Sequence, residues 1–240
     1  AVPENMQLKQ SILEDIEKSV DNDAIIATNT SSLSIDELAK SLKNPERFLG
    51  IHFFSPVHKM PLVEIIPSEK TSKEVIGAVC KMVLKNKKVP IVVNNCPGFL
   101  VNRILLPYVN EAIHLMIQGF KITDIDRVAE SFGMPIGPLA LADEVGLDVG
   151  EKVLNVLQKG YGERMAVPEL FSKIVQDDQL VGKKSGKGFY DYSNSKRSMN
   201  IDIYYSNSIV IKNRISDQDE TEILDRLMLV MLNEASRCIE

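Results

Sequence analysis

The feature that most constrains the fold is a change in the hydrophobic pattern at Cys96-Pro97-Gly98. Before this point short apolar segments alternate with helical patterns, and these segments are 24–28, 48–54, 62–66 and 90–93. Strands that alternate with helices and are apolar on both faces are typical of an α/β sheet. After this point the pattern is helical to about residue 181, and strand-like alternation returns only at 188–192. The sequence therefore predicts an α/β domain followed by an all-α domain.

The same pattern divides the chain into four segments. We predict that 1–96 forms the α/β domain and 97–193 the helical domain. Residues 194–220 are polar and rich in Ser and Asn, which is typical of a linker. The last segment, 221–240, is helical again and is predicted to begin a second helical domain.

An internal repeat supports this last prediction. Residues 102–112 align with 225–235 at an offset of 123, and Arg, Leu, Asn, Glu and Ala match at five of the eleven positions. One interpretation is a duplicated helical domain whose second copy begins near residue 221. The other is a chance similarity between two amphipathic helices, because any helical pattern raises the number of such matches.

The composition excludes several classes of protein. Of the 240 residues 44% are hydrophobic and 25% charged, which excludes wholesale disorder. The net charge of −5 argues against a general nucleic-acid partner, although it allows a local basic pocket for a phosphate-bearing ligand. The three cysteines fit neither a zinc site nor a disulfide framework, so we expect no metal and a reducing compartment.

The apolar stretches and the two ends of the chain give further expectations. Polar residues or prolines interrupt every long apolar stretch, so no membrane-spanning helix is predicted. The first residues have neither a basic region nor an apolar core, so we expect no signal peptide. The chain begins without Met and ends within a helical pattern, from which we expect a longer polypeptide.

Two polar residues in apolar strands are the strongest candidates for chemistry. His52 lies within the second predicted strand and Glu64 within the third, where an unpartnered polar group would be costly. If the strands are neighbours, the carboxylate can hold one imidazole nitrogen, fix the tautomer and raise the basicity of the other. A general acid–base dyad and a purely structural buried pair both fit this pattern.

Two polar segments have weaker signals. Residues 29–32, Asn-Thr-Ser-Ser, directly follow the first strand, where ligands bind in open α/β sheets. They also fit a cluster that caps the helix predicted from Ser34, with Glu37 placed as in a capping box. Residues 182–188 form a basic, glycine-rich turn, but they lack the strand–loop–helix context and the spacing of a phosphate loop.

Together these segments resemble the L-3-hydroxyacyl-CoA dehydrogenase family from Glu4 to about Tyr192. The motifs are Asn29-Thr30-Ser31-Ser32-Leu33, His52-Phe53-Phe54-Ser55-Pro56, Leu62-Val63-Glu64-Ile65, Pro97-Gly98-Phe99-Leu100-Val101-Asn102-Arg103, Gly137-Pro138 and Gly182-Lys183-Lys184-Ser185-Gly186-Lys187-Gly188-Phe189-Tyr190. Each is weak alone, but their order and spacing together are specific. The resemblance implies a partial Rossmann-type NAD domain, then the helical 3-hydroxyacyl-CoA dehydrogenase C-terminal domain and the start of a second helical copy.

The resemblance also implies roles for individual residues. His52 is the expected catalytic histidine and Glu64 its acidic partner, while Ser31 and Asn102 are expected to position the substrate oxygen. The residues expected to bind NAD are Glu4, Lys9, Asn29, Ser31, Ser55 and Lys184. Many members have Asn where this chain has Ser55. The serine resembles the form seen in multifunctional β-oxidation enzymes, and its shorter side chain weakens that expected contact.

The chain departs from the family pattern in one respect. No Gly-x-Gly-x-x-Gly sequence occurs in it, because the glycine-rich loop and the acidic residue for the ribose precede the segment that begins at Ala1 in this family. The first strands are also missing, which exposes a sheet edge and apolar faces. We therefore expect a chain of these residues alone to fold poorly and to turn over little.

The predicted function is NAD-dependent oxidation of L-3-hydroxyacyl-CoA to 3-oxoacyl-CoA within a multifunctional fatty-acid β-oxidation enzyme. In such enzymes an enoyl-CoA hydratase region lies upstream, and the second helical copy packs on the first. The expected partners are an acyl-CoA thioester, the rest of the polypeptide and possible further subunits, in the bacterial cytoplasm, the mitochondrion or the peroxisome. The alternatives are a short-chain 3-hydroxybutyryl-CoA dehydrogenase and a non-catalytic remnant that binds CoA thioesters. Asp225 occupies the position in the second copy that corresponds to Asn102 in the first, so we expect the second copy to be non-catalytic.

Overall fold

The computed structural model describes residues 2–176 and 180–239. The chain divides into two compact units, of which the first ends at Leu100 and the second begins at Val101. The first unit is an α/β sheet and the second is mainly helical. This is the fold class that the sequence predicts.

The first unit contains a four-stranded sheet with helices. Its strands are β1 Ile26–Thr28, β2 Phe48–Phe53, β3 Leu62–Pro67 and β4 Val89–Val92, and its helices are α1 Met6–Ser19, α2 Ile35–Ala39 and α3 Lys73–Lys85. The strands lie in the order β1-β2-β3-β4. The β1–β2 and β3–β4 pairs are parallel, whereas β2 and β3 are antiparallel. The carboxyl ends of β1 and β2 therefore meet the amino ends of β3 and β4 at one edge of the sheet.

Both faces of the central strands β2 and β3 are covered, as their apolar sequences predict, whereas two valines of the edge strand β4 stay exposed, in keeping with the expected apolar edge. Phe48 and Ile66 belong to one buried cluster with residues of α1 and α2. Leu49 and Ile65 belong to a second cluster with residues of α3. Because neighbouring residues in a strand point to opposite faces, these two clusters account for strands that are apolar at nearly every position.

The helix beginnings follow the predicted capping chemistry. Asn5, Ser34 and Ser72 each accept a hydrogen bond from the backbone N–H three residues later. The capping box expected at Ser34 forms only in part, because the Glu37 side chain pairs with Lys40 at 2.5 Å. This helix ends at Ala39.

The second unit is built around helices with one short hairpin. Its helices are α4 Val101–Ile117, α5 Ile122–Phe132, α6 Pro138–Val145, α7 Leu147–Tyr161, α8 Glu169–Val175, α9 Asp202–Ser206 and α10 Asp217–Arg237, and its strands are β5 Tyr190–Asp191 and β6 Ser198–Met199. One large apolar cluster joins these elements. Among the described residues, no helix has the length and apolar character needed to cross a lipid bilayer.

Residues 194–220 differ from the linker that their composition predicts. They contain β6 and α9, and Ile203 and Tyr204 of α9 are buried in the helical core. The Tyr204 hydroxyl donates to the Phe120 carbonyl and accepts from the Ile122 N–H, both at 2.8 Å. A few apolar side chains within a polar segment are therefore enough to hold it on the domain.

The two similar segments, 102–112 and 225–235, lie in α4 and α10, and these helices pack together. Arg103 pairs with Glu234 at 2.8 Å, and Arg226 pairs with Glu111 at 2.6 Å. Each pair joins an arginine of one copy to the glutamate of the other, so the helices run antiparallel. A duplicated helical domain would give such reciprocal pairing, and the duplication stays a prediction.

A buried carboxylate, Asp126, organises the Gly137-Pro138 motif of the second unit. Asp126 accepts from the N–H groups of Leu139 and Ala140, in the first turn of α6, at 2.9 and 3.0 Å. It thus caps a helix whose own N-cap residue, Gly137, has no side chain. A Cβ atom on Gly137 would lie 2.3 Å from Asp126, so the glycine makes room for this cap.

Candidate active site

His52 and Glu64 face each other across the antiparallel strands β2 and β3. They are direct partners in the register, and His52 Nδ1 lies 2.7 Å from Glu64 Oε2. Both residues are buried, with 6% of His52 and none of Glu64 exposed. Directly opposed residues of antiparallel strands point to the same face, which explains how two residues twelve apart in the chain meet.

Glu64 is held at both of its carboxylate oxygens. While Oε2 binds the imidazole, Oε1 accepts a hydrogen bond from the Leu100 N–H at 3.0 Å. A buried carboxylate requires such partners, because an unpaired charge away from water is costly. These two contacts fix the orientation of the carboxylate and, through it, that of the ring.

Two aromatic side chains enclose the His52 imidazole. The ring of Phe54 lies 4.7 Å from it, centroid to centroid, and the ring of Phe99 lies 5.8 Å from it. Phe99 is itself buried and has a left-handed backbone conformation, with φ of 53°. Among the described residues, Nε2 of His52 has no hydrogen-bond partner. The arrangement therefore leaves one ring nitrogen able to bind and exchange a proton with a ligand.

A second polar cluster lies where β1 ends. The buried Thr30 hydroxyl donates to Glu4 Oε2 at 2.7 Å and accepts from the Leu33 N–H at 3.0 Å. Lys9, which is 8% exposed, pairs with the other oxygen of Glu4 at 3.2 Å. Glu4 and Lys9, which the resemblance assigns to NAD, thus pair directly, and Thr30 ties Glu4 to the segment after β1. Thr30 lies in the polar segment 29–32 that the sequence indicates as a candidate, but no role was predicted for it alone.

The remaining predicted site residues of the first unit, Asn29, Ser31 and Ser55, lie near the same sheet edge. Asn29 Oδ1 accepts from the Phe53 N–H at 3.0 Å, which joins the end of β1 to the end of β2. Ser31 is partly buried and engaged in a contact within the chain. Ser55 is exposed, in the loop after β2 and directly before a cis proline, Pro56. Polar groups from two neighbouring parallel strands therefore converge at their carboxyl ends.

The other two predicted site residues belong to the second unit. Asn102 is in the first turn of α4, where it is partly buried and makes a contact within the chain. Lys184 pairs with Asp148 at 2.6 Å. Burial opposes ionisation of Asp148, but the hydrogen bond and charge of Lys184 outweigh it, so the pKa of Asp148 is lowered. The ammonium of Lys184 is thus already neutralised within its own unit.

The basic turn at 182–188 has a structural explanation. Asp143 accepts from the N–H groups of Phe189 and Tyr190, and the Tyr192 hydroxyl donates to it at 3.0 Å. The lysines of the turn pair with acidic residues: Lys183 with Glu144, Lys184 with Asp148 and Lys187 with Asp202. The turn therefore wraps a buried carboxylate. Within the described ranges, no group of acidic, histidine and cysteine side chains is placed to hold a metal ion.

Comparison with known proteins decides the family. The model of the 3-hydroxyacyl-CoA dehydrogenase NAD-binding domain matches residues 1–96, and that of the 3-hydroxyacyl-CoA dehydrogenase C-terminal domain matches 98–192. A solved (S)-3-hydroxybutyryl-CoA dehydrogenase from Ralstonia eutropha is 40% identical, with a TM-score of 0.74 over 81% of this chain and 69% of its own. The chain belongs to the 3-hydroxyacyl-CoA dehydrogenase family.

Two further relatives match the entire chain. The fatty acid oxidation complex subunit alpha of Vibrio parahaemolyticus is 45% identical over 240 residues, which is all of this chain and 34% of that protein. The dehydrogenase part of multifunctional enzyme 1 from C. elegans is 31% identical, with a TM-score of 0.66 over all of this chain and 55% of its own. The chain thus spans about a third of the length of the subunit alpha relative.

The first unit also fits part of the NAD that this family of oxidoreductases uses. Dinucleotides bind at the carboxyl ends of parallel strands, and here the ends of β1 and β2 carry Asn29 and Ser55. The Asn29 carboxamide, the Ser55 hydroxyl and the Glu4–Lys9 pair offer hydrogen-bond donors and acceptors at or near these strand ends. The residues present therefore fit a polar part of the cofactor.

Proposed function

We propose that the protein containing this chain oxidises L-3-hydroxyacyl-CoA to 3-oxoacyl-CoA with NAD in fatty-acid β-oxidation. The observation that carries the proposal is the buried Glu64 carboxylate on His52 Nδ1, which leaves Nε2 for the substrate. NAD, when bound, accepts the hydride that leaves C3 of the substrate. The chain must supply the accompanying proton transfer, and its paired histidine is suited to that step.

The His52–Glu64 pair explains how a proton moves in either direction. Nδ1–H donates to Glu64, so the lone pair of the neutral ring lies on Nε2, which takes the proton from the 3-hydroxyl. The ring is then an imidazolium beside a buried carboxylate, and Glu64 stabilises its positive charge. In the reverse direction the same nitrogen returns the proton to the substrate oxygen.

We assign the remaining roles by the family resemblance. Ser31 and Asn102 are proposed to donate hydrogen bonds to the C3 oxygen, where charge changes during the reaction and oriented donors act most strongly. The proposed cofactor contacts are Glu4, Lys9, Asn29, Ser31, Ser55 and Lys184. For Lys184 this role requires the ammonium to leave or share its contact with Asp148.

The chain is proposed to be the dehydrogenase portion of a multifunctional polypeptide. The support is its match to about a third of a subunit alpha sequence and the reciprocal pairing of α4 with α10. The rest of that polypeptide, further subunits and an acyl-CoA thioester are its proposed partners. The 40% identity to a 3-hydroxybutyryl-CoA dehydrogenase keeps a four-carbon substrate as the second candidate. Rates for a series of acyl-CoA lengths distinguish these two.

The test is His52→Ala in the full-length polypeptide. We expect kcat for 3-hydroxyacyl-CoA oxidation, followed by NADH absorbance, to fall by about 10²–10⁴ or more while KM changes little. His114→Gln is the matched control, since this other histidine lies in α4 of the second unit. Activity of His52→Ala near that of the parent would refute the proposed function.

A further inference from the structure

The loop that joins β2 to β3, residues 54–61, has little apolar contact to hold it. Residues 55–61 are all exposed, including Val57 at 48% and Met60 at 37%. Two hydrogen bonds lie within the loop, from the Lys59 and Met60 N–H groups to the Pro56 carbonyl. One backbone hydrogen bond, from the Val89 N–H to the Pro61 carbonyl, ties its far end to β4. Burial alone therefore does not fix the position of this loop.

Lys88 supplies the missing attachment. It directly precedes β4, and its ammonium donates to the carbonyl oxygens of Val57 and Met60 at 2.5 and 2.8 Å. Within the described part of the chain, it is the one side chain outside 54–61 that hydrogen-bonds to this loop. A charged donor that bridges two carbonyls makes stronger hydrogen bonds than a neutral one, so the contact can fix a loop that burial does not.

The loop matters because of what its first residues contact. Phe54 packs against the His52 imidazole, and Ser55 follows it at the sheet edge where Asn29 binds the Phe53 N–H. A shift of the loop therefore displaces the aromatic ring next to the proposed base and the serine proposed to contact the cofactor.

We propose that Lys88 is a positioning residue for the dehydrogenase reaction, holding 54–61 so that Phe54 and Ser55 stay in place beside His52. The kinetic consequences of this inference rest on the proposed function, whereas the attachment of the loop by Lys88 does not depend on that function. Lys88 acts through the loop and touches neither substrate nor cofactor. Without it, binding of the cofactor must also order the loop, and this cost raises KM more than it lowers kcat.

The kinetic test compares Lys88→Met with Lys87→Met in the full-length polypeptide. Both variants lose one ammonium and keep an aliphatic side chain, but Lys87 is exposed and its side chain makes no hydrogen bond or ion pair to the described residues. For Lys88→Met we expect KM for NAD to rise about tenfold and kcat to fall less than about threefold. Lys88→Arg is expected to restore most of the affinity, because a guanidinium also donates to two carbonyls.

A proteolysis test measures how often the loop 54–61 opens and does not depend on enzymatic activity. Trypsin cuts after Lys59, inside the loop, and mass spectrometry follows this cut in the native protein. We expect Lys88→Met to be cut at least about fivefold faster than Lys87→Met, because cleavage needs a locally open backbone. Equal cleavage rates would overturn the proposed attachment. Faster cleavage with unchanged KM would overturn the positioning role, whereas faster cleavage combined with an active His52→Ala variant would refute the proposed function alone.

Discussion

Arg103 and Glu234 lie 131 residues apart, yet the arginine Nε donates to the buried carboxylate at 2.8 Å. Arg164 and Arg237 also bind Glu234, and the guanidinium groups of Arg103 and Arg164 both lie over the Tyr161 ring. Burial opposes ionisation of Glu234, but the hydrogen bonds from Arg164 and Arg103 outweigh it and lower its pKa. The Glu234 carboxylate thus joins α10 to α4 and to the turn that follows α7.

Removing this charge is expected to destabilise the second unit. Glu234→Gln leaves three guanidinium groups around a buried neutral amide, and we expect a loss of about 3 kcal/mol in the free energy of unfolding. The measurement is chemical or thermal unfolding of the full-length polypeptide. The matched control is Glu222→Gln, because Glu222 pairs with Arg226 at the surface and its loss is expected to cost less than about 1 kcal/mol. Equal stability of the two variants would contradict the prediction.

Much of the first unit could be predicted from the sequence. The apolar strands gave the core on both faces, and the two polar residues inside them gave the His52–Glu64 pair. The length of the connection also indicates that β2 and β3 are antiparallel, since 54–61 is shorter than the dozen or more residues that a parallel crossover needs. Which residues face each other depends on the register, however, and this is set by packing of the complete sheet.

Contacts between distant segments could not be predicted. In the sequence, Lys88 is one of several lysines in a basic stretch, and no neighbouring residue indicates that its ammonium binds two carbonyl oxygens. Tyr204 lies in a polar segment, and its burial depends on carbonyl and N–H groups of the turn before α5. The reciprocal pairs Arg103–Glu234 and Arg226–Glu111 are a partial exception, since the repeat matched all four residues without showing how they pair.

Glu64→Gln tests the acidic partner of the proposed base. The amide keeps the shape of the side chain but cannot stabilise an imidazolium, so we expect kcat to fall by about two to four orders of magnitude. KM for the acyl-CoA should change little, because this contact matters most when the ring is protonated. Glu69→Gln is the control, since this glutamate is exposed. A loss of less than about threefold would contradict the assigned role and favour a purely structural pair.

The buried carboxylates of the second unit predict an unusual dependence of stability on pH. Burial raises the pKa of Asp126 to about 6 and that of Asp143 to about 6, despite the hydrogen bonds that each accepts. A pKa that is higher in the folded than in the unfolded state means that protonation of the carboxylate stabilises the folded protein. This contribution is complete below the ordinary pKa of 3.8 and is lost as the pH rises through about 6.

Asp126→Asn isolates this contribution. In the parent, we expect acidification from pH 7.5 to 5.5 to raise the thermal unfolding midpoint of the transition that contains the second unit by a few degrees, or about 1 kcal/mol. The variant cannot titrate at this site and should respond less, although it is less stable overall because one N–H of α6 loses its acceptor. Calorimetry at the two pH values measures both midpoints. Identical responses of parent and variant would contradict the prediction.

Two glycines of the second unit are expected to respond in opposite ways to the same substitution. A Cβ atom on Gly188 would lie 2.1 Å from Asp143 Oδ1 and 2.7 Å from the Gly182 backbone, so Gly188→Ala must displace the buried carboxylate or the turn. We expect a loss of about 2–3 kcal/mol in the free energy of unfolding. Gly150 lies in α7 with no atom within 4 Å of the same position, so Gly150→Ala should add about 0.5–1 kcal/mol. Unfolding of both variants in one denaturant series measures the difference, and a Gly188→Ala protein as stable as the parent would show that Asp143 does not need the space above this glycine.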